Sequence, residues 1–145
     1  MKNVASRRRR VSKGSAIIET SLIFIAFAAL MIGIFDFSQF LFVHSALVER
    51  ARFAARWGAI NNPTDSTSIT NMVLYNQSSS PSSGTAGYFN LTSSNVSVTT
   101  PGSGSNDYRL VVTISGYSYL MLSPWVAGSH TGVPITVAVP LGIFD

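Results

Sequence analysis

The stretch Gly14-Ser15-Ala16-Ile17-Ile18-Glu19-Thr20, followed by an uncharged, proline-free apolar run from Ser21 to Phe35, decides how the rest of the chain is read. Taken as one helix from Ala16 to Phe35, it rises about 1.5 Å per residue and spans roughly 30 Å, the thickness of a bilayer's hydrocarbon core. A soluble core helix needs a polar stripe, yet Leu22 to Leu30 is apolar on every side. The run therefore reads as a membrane span.

A cleavable secretory signal is the competing reading, since it also joins a basic start to an apolar stretch. Here the apolar character continues to Val43, and the small-x-small match Ala26-Phe27-Ala28 lies in the middle of the run. Cleavage there would leave Leu30, Ile32 and Ile34 as a hydrophobic stump.

Charge fixes the expected orientation. Of the ten Lys and Arg in these 145 residues, six precede the span: Lys2, Arg7, Arg8, Arg9, Arg10 and Lys13. None lies between Asp36 and Ser45, so the positive-inside rule puts the N-terminus in the cytoplasm and Arg7, Arg8, Arg9, Arg10 and Lys13 act as topology determinants. The net charge of +4 belongs to this leader, because from Ser15 onward four cations face six anions. A basic run beside an apolar span sets topology and touches anionic lipid, so we expect no nucleic-acid partner. Charged residues make up 11% of the chain, against roughly 25% in an average soluble domain.

Beyond the span, Leu47, Ala51, Ala54, Ala55 and Gly58 recur at helical spacing, and Glu49 and Arg52 stand three apart as a surface ion pair. The helix should stop near Ala59, before Asn61-Asn62-Pro63. Asp65-Ser66-Thr67 caps a short helix carrying Ile69, Met72, Val73 and Leu74, and Ser78 to Gly87 is a Ser/Pro/Gly-rich loop. Strands follow around Val96 and Val98, from Tyr108 to Tyr119, and from Val133 to Leu141, with Pro101 to Asn106 as a turn.

The expected fold class is thus α+β: a long N-terminal helix, membrane-spanning in its first half, then a short helix and a small antiparallel β-sheet of three or four strands. The expected division is a basic leader at 1–14, the transmembrane part of the helix at 15–43, its extramembrane continuation at 44–60, and a small extracytoplasmic α+β domain at 61–145.

Glu19 carries the mechanism. An ionisable group near the end of a spanning helix is a functional candidate that needs a partner. Position alone equally allows a carboxylate at headgroup level on the first helical turn, where the helix dipole favours it. Asp36 marks the outer end of the span and is expected to meet interfacial water, with pairing to a neighbouring subunit as the alternative. His44 is expected as an interfacial residue just beyond it. The histidines, His44 and His130, are remote in sequence, no nucleophile constellation stands out, and Gly102-Ser103-Gly104-Ser105 lacks the lysine of a phosphate-binding loop. We therefore expect no enzyme, no cofactor, no metal and no small-molecule substrate. The absence of cysteine leaves the redox compartment open.

A short basic leader, a glycine, four uncharged residues, a glutamate and a long apolar helix together resemble the prepilin-type signal of type IV pilins and pseudopilins. Gly14 to Glu19, Gly33-Ile34-Phe35-Asp36-Phe37 and Ala51-Arg52-Phe53-Ala54-Ala55-Arg56-Trp57-Gly58-Ala59 narrow the resemblance to the TadE-like proteins of tight-adherence (Flp-type) pilus systems. Val111 to Tyr117 and Pro124-Trp125 resemble that family's later strands more loosely. Thr20 departs from it, standing where an aromatic commonly follows the glutamate.

The resemblance implies cleavage between Gly14 and Ser15 by a prepilin peptidase. It makes Glu19 the fifth residue of the mature chain and the counter-ion of a neighbouring subunit's new N-terminus. It implies a minor pseudopilin in the bacterial inner membrane, with other pilin or pseudopilin subunits and the pilus assembly platform as partners. Two other readings stand beside it: an unprocessed, single-pass anchor displaying a binding module, and a type II secretion pseudopilin.

Overall fold

The computed structural model describes residues 13–82, 84–123 and 127–142. The arginines at 7 to 10 and the Pro124-Trp125 pair lie outside the described residues, as does the side chain of Lys13. The order of elements is α1 (Lys13–Asn61), α2 (Ser66–Tyr75), β1 (Val96–Thr99), β2 (Arg109–Ile114), β3 (Ser118–Met121), β4 (Gly128–Thr131) and β5 (Ile135–Pro140). Short 3-10 turns occupy Tyr88–Asn90 and Ser93–Asn95.

The first half of α1 is continuous with the second. Its 49 residues run unbroken through the expected end of the span, about 73 Å at 1.5 Å per residue. Ile17, Leu22, Phe24, Phe27, Leu30 and Ile34 all stand exposed, with no other described element packed over them. It is one helix long and apolar enough to cross a membrane. Hydroxyls within it are satisfied locally: Thr20 and Ser21 donate to the carbonyls of Ala16 and Ile17, each at 2.8 Å. Ser38 does the same to Ile34 at 2.7 Å. Such pairing removes most of the cost of a hydroxyl in an apolar medium.

The second half of α1 is the spine of the domain. Leu47, Ala51, Ala54 and Ala55 are fully buried against α2 and the sheet. The small side chains let the elements approach closely, and Gly58 shows how closely. A Cβ there would lie 2.7 Å from Ile69 Cδ1 and 2.9 Å from Leu110 Cδ2. Asp65 caps α2 by accepting from the Ser68 N–H at 3.0 Å. Asn76 ends it in the left-handed conformation, its N–H donating to the Met72 carbonyl. Ile69, Met72, Val73 and Leu74 face the core, as their spacing predicts.

The main sheet has three antiparallel strands in the order β1-β2-β5. In register, Val96 faces Ile114 and Val98 faces Val112, while Val112 faces Val137 and Ile114 faces Ile135. Period-2 alternation along β2 turns Leu110, Val112 and Ile114 into the core.

The expected strand from Tyr108 to Tyr119 is divided in the structure. Gly116 adopts φ 68°, a left-handed conformation open to glycine at little cost, and the chain turns there. Beyond the turn, β3 and β4 form a second, two-stranded sheet, with Ser118 opposite Thr131 and Met121 opposite Gly128. The antiparallel α+β class stands, with five strands in two small sheets among the described residues.

Candidate membrane and assembly site

The residues at the start of α1 lie on one exposed stretch. Gly14, Ser15 and Glu19 are helical and exposed, and none of the described residues bonds to the Glu19 carboxylate. The Gly14–Ser15 bond and Glu19 are separated by little more than one helical turn, about 6 to 7 Å along the axis. Among the described residues, this end of α1 is bare, exposed helix surface.

At the far end of the exposed run, the structure corrects the expectation for Asp36. It is 6% exposed, the only charged side chain buried among the described residues. Its Oδ1 accepts the backbone N–H of Leu122 at 2.7 Å and its Oδ2 that of Ser123 at 2.8 Å. Both carboxylate oxygens are therefore held by the chain itself, and interfacial water is not their partner. The reason was out of reach of local sequence: the donors lie 86 and 87 residues away, on backbone atoms that carry no side-chain signature.

Above Asp36, β3 runs along α1 through aromatic contacts. Phe40 meets Tyr119 with ring centroids 5.2 Å apart and stacks on His44 at 5.9 Å. His44 Nδ1 shares a hydrogen bond with the Tyr117 hydroxyl at 3.0 Å. Burial pushes the Tyr117 phenol up from its usual pKa, with Tyr119 adding to the effect, so it stays protonated at neutral pH. His130, opposite Tyr119 on β4, has its ring centroid 6.0 Å from that of Tyr119. The two histidines that are remote in sequence thus join one aromatic cluster, and His44 is part of the domain's packing.

Asp36 thus already bonds to the folded domain, well before the expected limit of the span at 43. Glu49 and Arg52 form the expected pair at 2.9 Å, both largely exposed. Arg50 lies over the Tyr88 ring at 4.4 Å, a cation–π contact that fastens the loop after α2 to the helix.

Comparison with known families bears on the same helix. Residues 14–56 match the family model of the TadE-like proteins. The match starts at the glycine of the leader junction and ends inside the buried, alanine-rich half of α1, covering less than half of the chain. No curated protein and no solved structure matches the chain. The matched segment contains the exposed apolar half of α1, the one helix among the described residues that is long and apolar enough to cross a membrane.

Proposed function

We propose that this TadE-like chain is a minor pseudopilin, processed by a prepilin peptidase between Gly14 and Ser15 and taking part in the assembly of an adhesive tight-adherence pilus. It sits in the bacterial inner membrane as a single-pass protein, with the N-terminus cytoplasmic and the α+β domain outside. The observation that carries the reading is the bare, apolar first half of α1, which begins at Lys13, one residue before the family match begins.

Glu19 has a clear task in this reading. Cleavage frees an ammonium on Ser15 that requires a counter-charge near the membrane, and a carboxylate with no bond to any described residue of its own chain is available to a neighbouring subunit. Such a pair would set the register between packed helices. The basic leader, including Arg7, Arg8, Arg9, Arg10 and Lys13, would hold the precursor's orientation and then be removed.

The test is the N-terminal sequence of the protein purified from envelopes of its native host, read by mass spectrometry. A start at Ser15 supports the proposal. An intact leader in the presence of active peptidase refutes it and favours an unprocessed membrane anchor. Gly14→Ala should block processing, whereas Glu19→Ala should leave processing intact and impair assembly. Normal pili from both variants would contradict the assigned roles.

A further inference from the structure

We propose that the span-proximal end of β3, at Leu120 and Leu122, is a second membrane contact, seated in the outer interfacial layer of the bilayer and held at that depth by Asp36. The inference rests on the single-span reading above and goes beyond it. It makes the domain a body resting on lipid in a fixed orientation, where a simple stalk would leave it free.

Three observations carry it. The first is length. Glu19 and Asp36 are the nearest charged residues on either side of the apolar run, and at about 1.5 Å per residue they are separated by about 25 Å. A hydrocarbon core of about 30 Å does not fit between them. With Glu19 at the inner edge of the hydrocarbon, Asp36 lies about 5 Å short of its outer edge. The exposed Phe37, Leu41 and Phe42 extend the apolar surface still further along the helix.

The second is the direction of β3. Tyr117 bonds to His44, Tyr119 packs on Phe40, and Leu122 and Ser123 bond to Asp36. The strand therefore descends α1 toward the span, by about 12 Å from His44 to Asp36 at the helical rise. Leu122 stands at this end of β3, beside Asp36. Its N–H is tied to Asp36 while its side chain is 56% exposed. Leu120, 58% exposed, stands on the same side of β3 and about one helical turn higher.

The third is charge. No Lys, Arg, Asp or Glu occurs between Arg109 and Asp145, so the whole hairpin is free of them. The domain's charged pairs lie away from the span. Glu49–Arg52 is about 20 Å beyond Asp36 along α1. Arg109–Asp107 adjoins Leu110, whose side chain faces Gly58 near the far end of the helix. A protein turned toward water on every side has no reason for this gradient, whereas one resting on lipid does.

Asp36 then serves a purpose that a solvated carboxylate could not. A carboxylate at the hydrocarbon edge is costly unless its oxygens are bonded, and two backbone N–H donors bond both. The same bonds satisfy two amides that would otherwise face an apolar medium.

Site-directed spin labelling of the full chain in phosphatidylethanolamine/phosphatidylglycerol nanodiscs tests the inference. The chain has no cysteine, so each introduced one is unique. Nitroxides at Leu122→Cys, Leu120→Cys, Ile25→Cys as the lipid reference and Ser103→Cys as the water reference are compared for collision with oxygen and with a nickel chelate. The expected result is an oxygen-to-nickel accessibility ratio several-fold higher at Leu122 than at Ser103, with Leu120 between them and Ile25 highest. A water-like ratio at Leu122 beside a lipid-like one at Ile25 overturns this inference alone. A water-like ratio at Ile25 overturns the membrane span and the inference together. Shielding of Leu122 from both reagents is the pattern of a protein partner and overturns lipid as the occupant.

Discussion

Replacing Asp36 by alanine should release the β3–β4 hairpin from α1 without unfolding the main sheet. The carboxylate accepts two backbone N–H bonds of 2.7 and 2.8 Å. A hydrogen bond to a charged group contributes about 1.5 to 3 kcal/mol, and an orphaned buried donor costs about 1 to 3 kcal/mol. Removing a buried carboxylate also relieves its desolvation, which offsets part of the loss. A net cost of about 2 to 4 kcal/mol follows, equivalent to roughly 30- to 900-fold in the hairpin's opening equilibrium. Amide hydrogen exchange of the full chain in micelles reads this directly, at the Leu122 and Ser123 amides. Their protection should fall by that factor in Asp36→Ala, while amides of Val112 and Val137 in the main sheet keep theirs. Asp36→Asn retains one acceptor oxygen and presents an NH2 to the second donor, so it should spare one amide and expose the other. Unchanged protection at both amides in Asp36→Ala would refute the argument that the carboxylate holds the hairpin.

Gly58→Val should destabilise the domain by about 1 to 3 kcal/mol through overpacking against Ile69 and Leu110, measured as a lower urea midpoint. Gly33→Ala, where a Cβ meets nothing within 4 Å, should leave that midpoint unchanged. Tyr117→Phe should cost about 1 kcal/mol by removing the hydroxyl from His44 Nδ1, seen in the same urea titration and as a shift of the His44 ring resonances. Bonding to the Ser68 backbone N–H holds the Asp65 carboxyl below the usual carboxylate range. Because the folded value is depressed, its contribution to α2 is present above the unfolded pKa and is lost as pH falls through the folded value. The protection factor of the Ser68 amide, corrected for the intrinsic pH dependence of exchange, should fall on acidification in the wild type and be low already at neutral pH in Asp65→Ala.

Much of the chain was legible because its signals are local. Asp65 and the spacing of Ile69, Met72, Val73 and Leu74 specify α2 from adjacent residues, and the alternation in Leu110 to Ile114 and Ile135 to Val139 specifies two strands and their buried face. The β3–β4 sheet was not legible. Gly116 looks like one more residue in a strand-forming stretch until its positive φ divides it. Gly128–Thr131 reads as Gly-Ser-His-Thr, with no apolar alternation to mark it as β4. Its pairing with β3 depends on the hairpin lying against α1.

The sequence by itself determined the apolar run of α1, the small-residue stripe of its second half and the α+β class, since period and composition act between near neighbours. The Gly14 to Glu19 spacing is likewise complete in the sequence, because its proposed partner is another molecule. Only the tertiary structure decided what Asp36 and His44 do. Their partners are the Leu122 and Ser123 backbone amides and the Tyr117 hydroxyl, and more than seventy residues separate each pair. Backbone donors have no sequence signature, so the burial of a carboxylate between them emerges only when β3 descends along the helix.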